Sequence, residues 1–342
     1  MEIFAPTPEN LGLDAIGAYA QRVETLGYDG LFVPDAVHDG LLLACQALSA
    51  TTRLKVATSV LVVFPRSPMN VAVAAWDLQR LSGGRFELGL GTQIRQNIEE
   101  RYSARWLPPV AGMREYMGAL RAIFHSFRTG APLHYSGEHF HFSRLQPFFN
   151  PGPIEAPDVP LMMGAVGPKM LELVGAVADG VHTHPTNTSR RYLQEVVLPR
   201  IAAGCAQRDT ARPAPRICIN TLVATGPDAA SVAAERERFR HTLAFLFSTP
   251  AYWPSLDLFG WQALGPHLRQ LTREGRWQDM SQAFGDEMLD EFLVSATYAD
   301  LPAQLLSRFG DLVDRLTITV PAVSAQDADF SKALALVRQA QV

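Results

Sequence analysis

The sequence predicts an α/β protein folded as a (β/α)8 TIM barrel with insertions, and three observations carry that reading. Short β-branched or aromatic runs alternate with apolar-periodic segments of helical length, which is the pattern of parallel strands joined by crossover helices. Eight such units fit within the 342 residues, and an open doubly wound sheet is the structural rival. The runs end in polar or turn residues, where a barrel carries its chemistry.

The first strand is read at Glu2–Ala5 and its helix at Leu11–Leu26. Gly30–Pro34 gives the second strand and Leu41–Ala50 the second helix. Leu54–Val63, rich in valine, is the third strand, followed by a helix over Asn70–Leu81. Phe86–Gly91 is the fourth strand and Met113–Phe127 the fourth helix. The rhythm breaks at 130–158, where Pro, Gly and the alternating Leu133, Tyr135, Phe140 and Phe142 suggest an inserted hairpin and loop. It resumes with strands at Leu161–Gly164 and Asp179–Thr183, separated by a helix over Pro168–Val177. Ser189–Gln207 is the sixth helix and Ile217–Ala224 the seventh strand. Asp228–Met288 is helical and too long for one crossover, so it reads as a second insertion. Leu301–Val313, Leu316–Val320 and Asp327–Ala340 complete a single barrel domain over residues 1–342.

Composition narrows the function. Lys and Arg number 30 against 34 Asp and Glu, with no run of one sign, so no nucleic-acid footprint is expected. No stretch reaches the roughly 18 apolar residues of a membrane span. Met1–Pro8 resembles no secretory leader. The three cysteines, Cys45, Cys205 and Cys218, are scattered and odd in number, as expected of a reduced cytoplasmic protein with free thiols.

The densest motif runs from Thr58-Ser-Val-Leu-Val-Val-Phe-Pro-Arg-Ser-Pro68 into Leu81-Ser-Gly-Gly-Arg-Phe-Glu-Leu-Gly-Leu-Gly-Thr92. With Gly27-Tyr-Asp-Gly-Leu-Phe-Val-Pro-Asp35, Gly164-Ala-Val-Gly-Pro-Lys169 and Ala178-Asp-Gly180, it resembles the luciferase-like monooxygenase superfamily. Arg66-Ser-Pro-Met69, Trp76-Asp-Leu-Gln79 and Leu90-Gly-Thr-Gln93 are similar to the branch that uses the deazaflavin coenzyme F420. The resemblance implies a bacterial luciferase-like barrel and an F420-dependent oxidoreductase acting on a small organic substrate. An FMN-dependent monooxygenase fed by a separate reductase is the alternative. It further implies a non-prolyl cis peptide at Ser59–Val60 behind the cofactor ring, and cofactor contacts from Thr92, Gln93 and Asn97. Similar proteins are often homodimers.

Several residues carry chemistry in their own right. Gly164, Ala165, Val166, Gly167 and Lys169 lie where a strand runs into a helix, so open amides, a helix N-terminus and one ammonium would suit a phosphate. An ordinary glycine turn is the plainer reading. Ser82-Gly-Gly-Arg85 reads as a helix cap, with Arg85 paired to a surface carboxylate. His182 and His184 alternate on the sixth strand and should share a face, as acid, base or donor. The same spacing could serve a zinc hydrolase, but two ligands are too few, and no metal is expected. A non-catalytic flavin-binding barrel is a further possibility. Asp35 and His38 follow the second strand, where related enzymes place substrate-facing groups. Sugar-phosphate dehydrogenases of the branch carry His directly after that Asp and Glu after the fourth strand. Ala36 and Ile94 stand here instead, which argues against glucose-6-phosphate. Arg66, Arg95 and Arg101 are the cations expected for the anionic tail of F420. His139 and His141 are expected to face solvent.

Overall fold

The computed structural model describes residues 1–339. Eight strands, β1 (Glu2–Pro6), β2 (Gly30–Val33), β3 (Lys55–Thr58), β4 (Phe86–Gly91), β5 (Leu161–Gly164), β6 (Gly180–His182), β7 (Arg216–Ile219) and β8 (Arg315–Thr317), pair in parallel in that order. β8 returns to β1, with Glu2 opposite Arg315 and Phe4 opposite Thr317, and this closes the barrel. The surrounding helices are α1 (Leu13–Leu26), α2 (Gly40–Ala50), α3 (Pro68–Ser82), α4 (Pro109–Thr129) and α5 (Pro168–Val177). They continue with α6 (190–205, interrupted by a π-helical turn at Leu193–Val197), α7 (Ala229–Phe247), α8 (Leu301–Phe309) and α9 (Asp327–Gln339). The expected end of the last helix, Ala340, lies outside the described residues.

Local chemistry sets the element ends. α3 starts on the Ser67 hydroxyl, which accepts the Met69 amide, with Pro68 in the first turn, where its missing N–H is not needed. It stops at Gly83, whose φ of 63° is left-handed and suits glycine. Arg85 does not pair with a carboxylate as the sequence suggests. Its guanidinium donates to the carbonyls of Leu48, Thr51, Leu54 and Ser82, because the end of α2 leaves carbonyls that need donors.

Two strands expected to be continuous are broken. The third divides into β3 and a short segment Leu61–Val62, and both segments pair with β4. Ala57 lies opposite Glu87 and Leu61 opposite Leu90, so four steps on one strand match three on the other, a bulge. The Ser59–Val60 peptide inside it is cis. Thr58 bridges the gap: its hydroxyl donates to the Gly89 carbonyl and accepts the Gly89 amide, both at 2.8 Å. The seventh strand divides after Ile219, and Leu222–Gly226 leaves the barrel to pair with Leu293–Thr297, a strand the sequence reading does not assign. This small sheet and α7 form the base of the second insertion. Phe239, Leu243, Phe247, Phe284 and Phe292 pack there into a core of their own.

The barrel interior is polar at one end and aromatic in the middle. Near the strand starts, the fully buried Arg315 donates to both carboxylate oxygens of Glu87, at 2.7 and 2.9 Å, and to Glu2. Arg216 reaches Glu87 at 3.0 Å. Phe4 and Phe32 lie above, with the Arg315 guanidinium 3.7 Å from the Phe4 ring centre. Gly30 makes room for that layer, since a Cβ there would meet the Phe4 ring at 2.2 Å. Among the described residues no helix is long and apolar enough to cross a membrane.

Candidate active site

At the C-terminal end of the strands lies a cavity of about 500 Å³, within the range of small-molecule sites. The bulge builds its floor. Val60 fits between two glycines on adjacent strands: a Cβ on Gly91 would come 2.3 Å from its Cγ2, and one on Gly164 would come 3.1 Å from its Cγ1. The Leu-Gly-Leu-Gly alternation of β4 thus leaves a smooth backbone surface. Ser59 lies beside it, within 3.4 Å of the Asn220 amide at the end of β7.

Strand β6 and the residues after it form the polar wall. His182 is buried 4.6 Å from the Phe32 ring, and neither ring nitrogen has a hydrogen-bond partner. Burial, with the Arg315 charge beneath it, lowers its pKa to about 3. The Thr183 hydroxyl is likewise buried without a partner. Unsatisfied buried polar groups cost free energy, and both of these residues line the cavity. His184 is held by Thr186, with its Nδ1 at 2.9 Å from the hydroxyl, and it stacks on Tyr252 at 4.2 Å between ring centres. Burial lowers its pKa to about 4, so both rings are neutral at physiological pH. Tyr252 and Ala251 come from the second insertion and, with Ile94 and Met170, add an apolar part to the lining.

The rim is the start of α5. Gly164, Ala165, Val166 and Gly167 line the cavity. The Ala165 amide donates to His182, while among the described residues the amides of Gly167 and Lys169 have no acceptor outside regular helix bonding. A Cβ on Gly167 would meet nothing within 4 Å. Lys169 is exposed alongside, and no described carboxylate pairs with it. Open amides at a helix N-terminus beside an ammonium suit a phosphate, and the flat floor with its orphaned wall suits a polar tricyclic ring. On these observations the residues fit a flavin or deazaflavin.

Of the expected residues, Ser59, Val60, Thr92, Gln93, Gly164, Ala165, Val166, Gly167, His182 and His184 are brought together in the cavity wall. Gln93 takes a left-handed φ of 60° there. Others have different employment. Asp35 is buried, accepting the amides of Gly40 and Val62 and the Arg66 guanidinium, so it fastens the β2 loop to the bulge. Arg66 also bonds Asp39 at 2.9 Å. Arg95 pairs with Glu99 and Arg101 donates to the Ala36 carbonyl, so the expected tail-binding cations are already engaged. His38 packs toward Gly12, and the Asn97 carbonyl caps a π-helical turn by accepting the Tyr102 amide. His139 is half-buried rather than solvent-facing. With Glu115 and Glu138 it forms the one described group with the reach to ligate a metal, between α4 and the hairpin and without His182 or His184.

Asn220, Thr183, Met170, Ala251 and Tyr252 were missed. Asn220 sits where a continuous strand was expected, and Tyr252 lies in an insertion whose composition says nothing of where it folds.

A family model described as luciferase-like monooxygenase matches residues 2–315. An uncharacterized protein of Mycobacterium tuberculosis is 39% identical over 319 residues, 93% of each chain. The 5,10-methylenetetrahydromethanopterin reductase of Archaeoglobus fulgidus is 27% identical over 329 residues, 93% of this chain and 92% of its own. The solved coenzyme F420-dependent tetrahydromethanopterin reductase from Methanopyrus kandleri superposes with a TM-score of 0.78 at 17% identity, covering 99% of this chain and 97% of that one.

Proposed function

The chain belongs to the luciferase-like monooxygenase family, and from that premise we propose that it is an oxidoreductase exchanging hydride between coenzyme F420 and a small organic substrate. The observation that carries this reading is the cavity itself: a glycine-lined floor, orphaned polar groups on His182 and Thr183, and open amides at the start of α5. Similarity to a putative coenzyme F420-dependent oxidoreductase of Mycobacterium tuberculosis, 27% identical over 296 residues and 79% of this chain, supports the deazaflavin.

In this reading Val60, Gly91 and Gly164 would support the ring, and the amides of Gly167 and Lys169 with the Lys169 ammonium would hold the phosphate. The bound deazaflavin supplies the hydride chemistry. The chain's own residues orient and exclude water. Ile94, Met170, Ala251 and Tyr252 present an apolar surface to the substrate, while the neutral His182 and His184 offer hydrogen-bonding groups without a charge.

A second reading, an FMN-dependent monooxygenase served by a separate reductase, is favoured by one feature. Arg66, Arg95 and Arg101 are engaged within the protein, and FMN, which ends at its phosphate, needs no further cations. Two assays separate the readings. Loss or recovery of F420 absorbance with alcohol or carbonyl substrates supports the first. Oxygen uptake dependent on reduced FMN, with no F420 turnover, replaces it with the second.

A further inference from the structure

We propose that His184 is fixed as its Nδ1–H tautomer, so that Nε2 offers the cavity a lone pair and accepts an O–H or N–H of the bound molecule. A chain of side chains fixes where each hydrogen lies. The Asn187 side-chain amide donates to the Val166 carbonyl at 3.2 Å. A backbone carbonyl only accepts, so the Asn187 nitrogen faces Val166 and its Oδ1 faces Thr186. Thr186 Oγ1 lies 3.1 Å from that oxygen, and the only hydrogen available between the two is the threonine hydroxyl's. Having donated it, Thr186 Oγ1 can only accept from His184 Nδ1, 2.9 Å away. Nδ1 therefore carries the proton. The Thr186 amide, 3.4 Å from the same nitrogen, would favour the opposite tautomer, but at that length it is the weaker determinant. A neutral imidazole has one N–H, so Nε2 is bare.

Position turns this into recognition. Thr186 and Asn187 are buried, which isolates the chain from competing water. Tyr252 stacks on the ring at 4.2 Å and sets its plane. Among the described residues no protein group bonds Nε2, yet His184 lines the cavity. Thr186 and Asn187 are thus positioning residues, and they tie the tautomer to Val166 in the α5 rim. The proposal rests on the cavity being the ligand site. The donor is an O–H or N–H, carried either by the cofactor or by the organic substrate.

Long-range ¹H–¹⁵N correlation spectra of the cofactor-free protein test the tautomer independently of any cofactor. Wild type and Thr186→Ser are expected to show protonated Nδ1 and bare Nε2, and Thr186→Val to gain the Nε2–H form while remaining folded. A wild-type Nε2–H signal overturns the proposal. F420 and then 2-propanol are added, with acetone as the analogue lacking a donor. An upfield Nε2 shift with F420 places the donor on the cofactor. A shift with 2-propanol but not acetone places it on the substrate. An Nε2 resonance unmoved by all of them overturns the recognition role, even where F420 fluorescence shows binding.

Discussion

The two ends of the barrel interior treat buried polar groups in opposite ways. At the strand starts, Glu2, Glu87, Arg216 and Arg315 satisfy one another. At the strand ends, His182 and Thr183 are equally buried and bond to nothing through their side chains. Both arrangements cost desolvation, but only the first repays it within the chain. The lesson is that one end is built to hold the barrel together and the other to be completed by something else. Substitutions at the first should cost stability, and substitutions at the second should cost binding.

The largest effect is expected at Arg315. Replacing it with Met removes two bonds to the buried Glu87 carboxylate and leaves it Arg216 alone, and breaking a buried pair costs about 3–5 kcal/mol, read as a lower urea midpoint. A midpoint within error of wild type would show that Arg216 alone satisfies Glu87, and would weaken the contrast. Acid should reveal the same network. The Arg315 and Arg216 charges overcome the opposing effect of burial and lower the Glu87 pKa from 4.5 to about 2. A depressed carboxylate stabilises the fold above its unfolded pKa, and that contribution fades as pH falls through the folded value. Wild-type stability should therefore drop between about pH 4.5 and pH 2, and Glu87→Gln, less stable at pH 7, should show a shallower drop across that window. Equal slopes would remove Glu87 from the acid response.

Gly91→Ala tests the floor, where both effects should meet. Its Cβ would press on Val60, and overpacking of this kind costs about 1–3 kcal/mol, with a parallel loss of cofactor affinity. An unchanged thermal midpoint and affinity would mean that Val60 moves aside freely. The smallest effect belongs to Arg95→Ala. Its partner Glu99 lies one helical turn away on an exposed surface, so neither the midpoint nor F420 affinity should change. A large affinity loss would restore Arg95 to the role in tail binding that its sequence position suggests.

What the sequence reveals follows the range of the interactions involved. The barrel was legible because strand and helix periodicities are local, and the α5 rim because glycine, proline and lysine there obey local rules of helix starts. The buried ion network was not, since Glu2, Glu87, Arg216 and Arg315 are far apart in the chain and look like surface charges. The pairing of Asp35 with Arg66 was hidden for the same reason, since it depends on how two loops fold together. Tyr252 reaches the cavity through the tertiary fold of an insertion, for which no periodicity gives notice.

The central claim is that the open amides at the start of α5 await the phosphate of a deazaflavin. Gly167→Val tests it directly, because a side chain there meets no protein atom within 4 Å and the backbone φ of −84° is ordinary. In fluorescence titrations at fixed moderate salt, wild type should bind F420 more tightly than FMN. The variant, with an unchanged thermal midpoint, should bind F420 about tenfold more weakly, roughly 1.4 kcal/mol. Tighter FMN binding would contradict the deazaflavin assignment, and F420 affinity unaffected by the substitution would contradict the phosphate site.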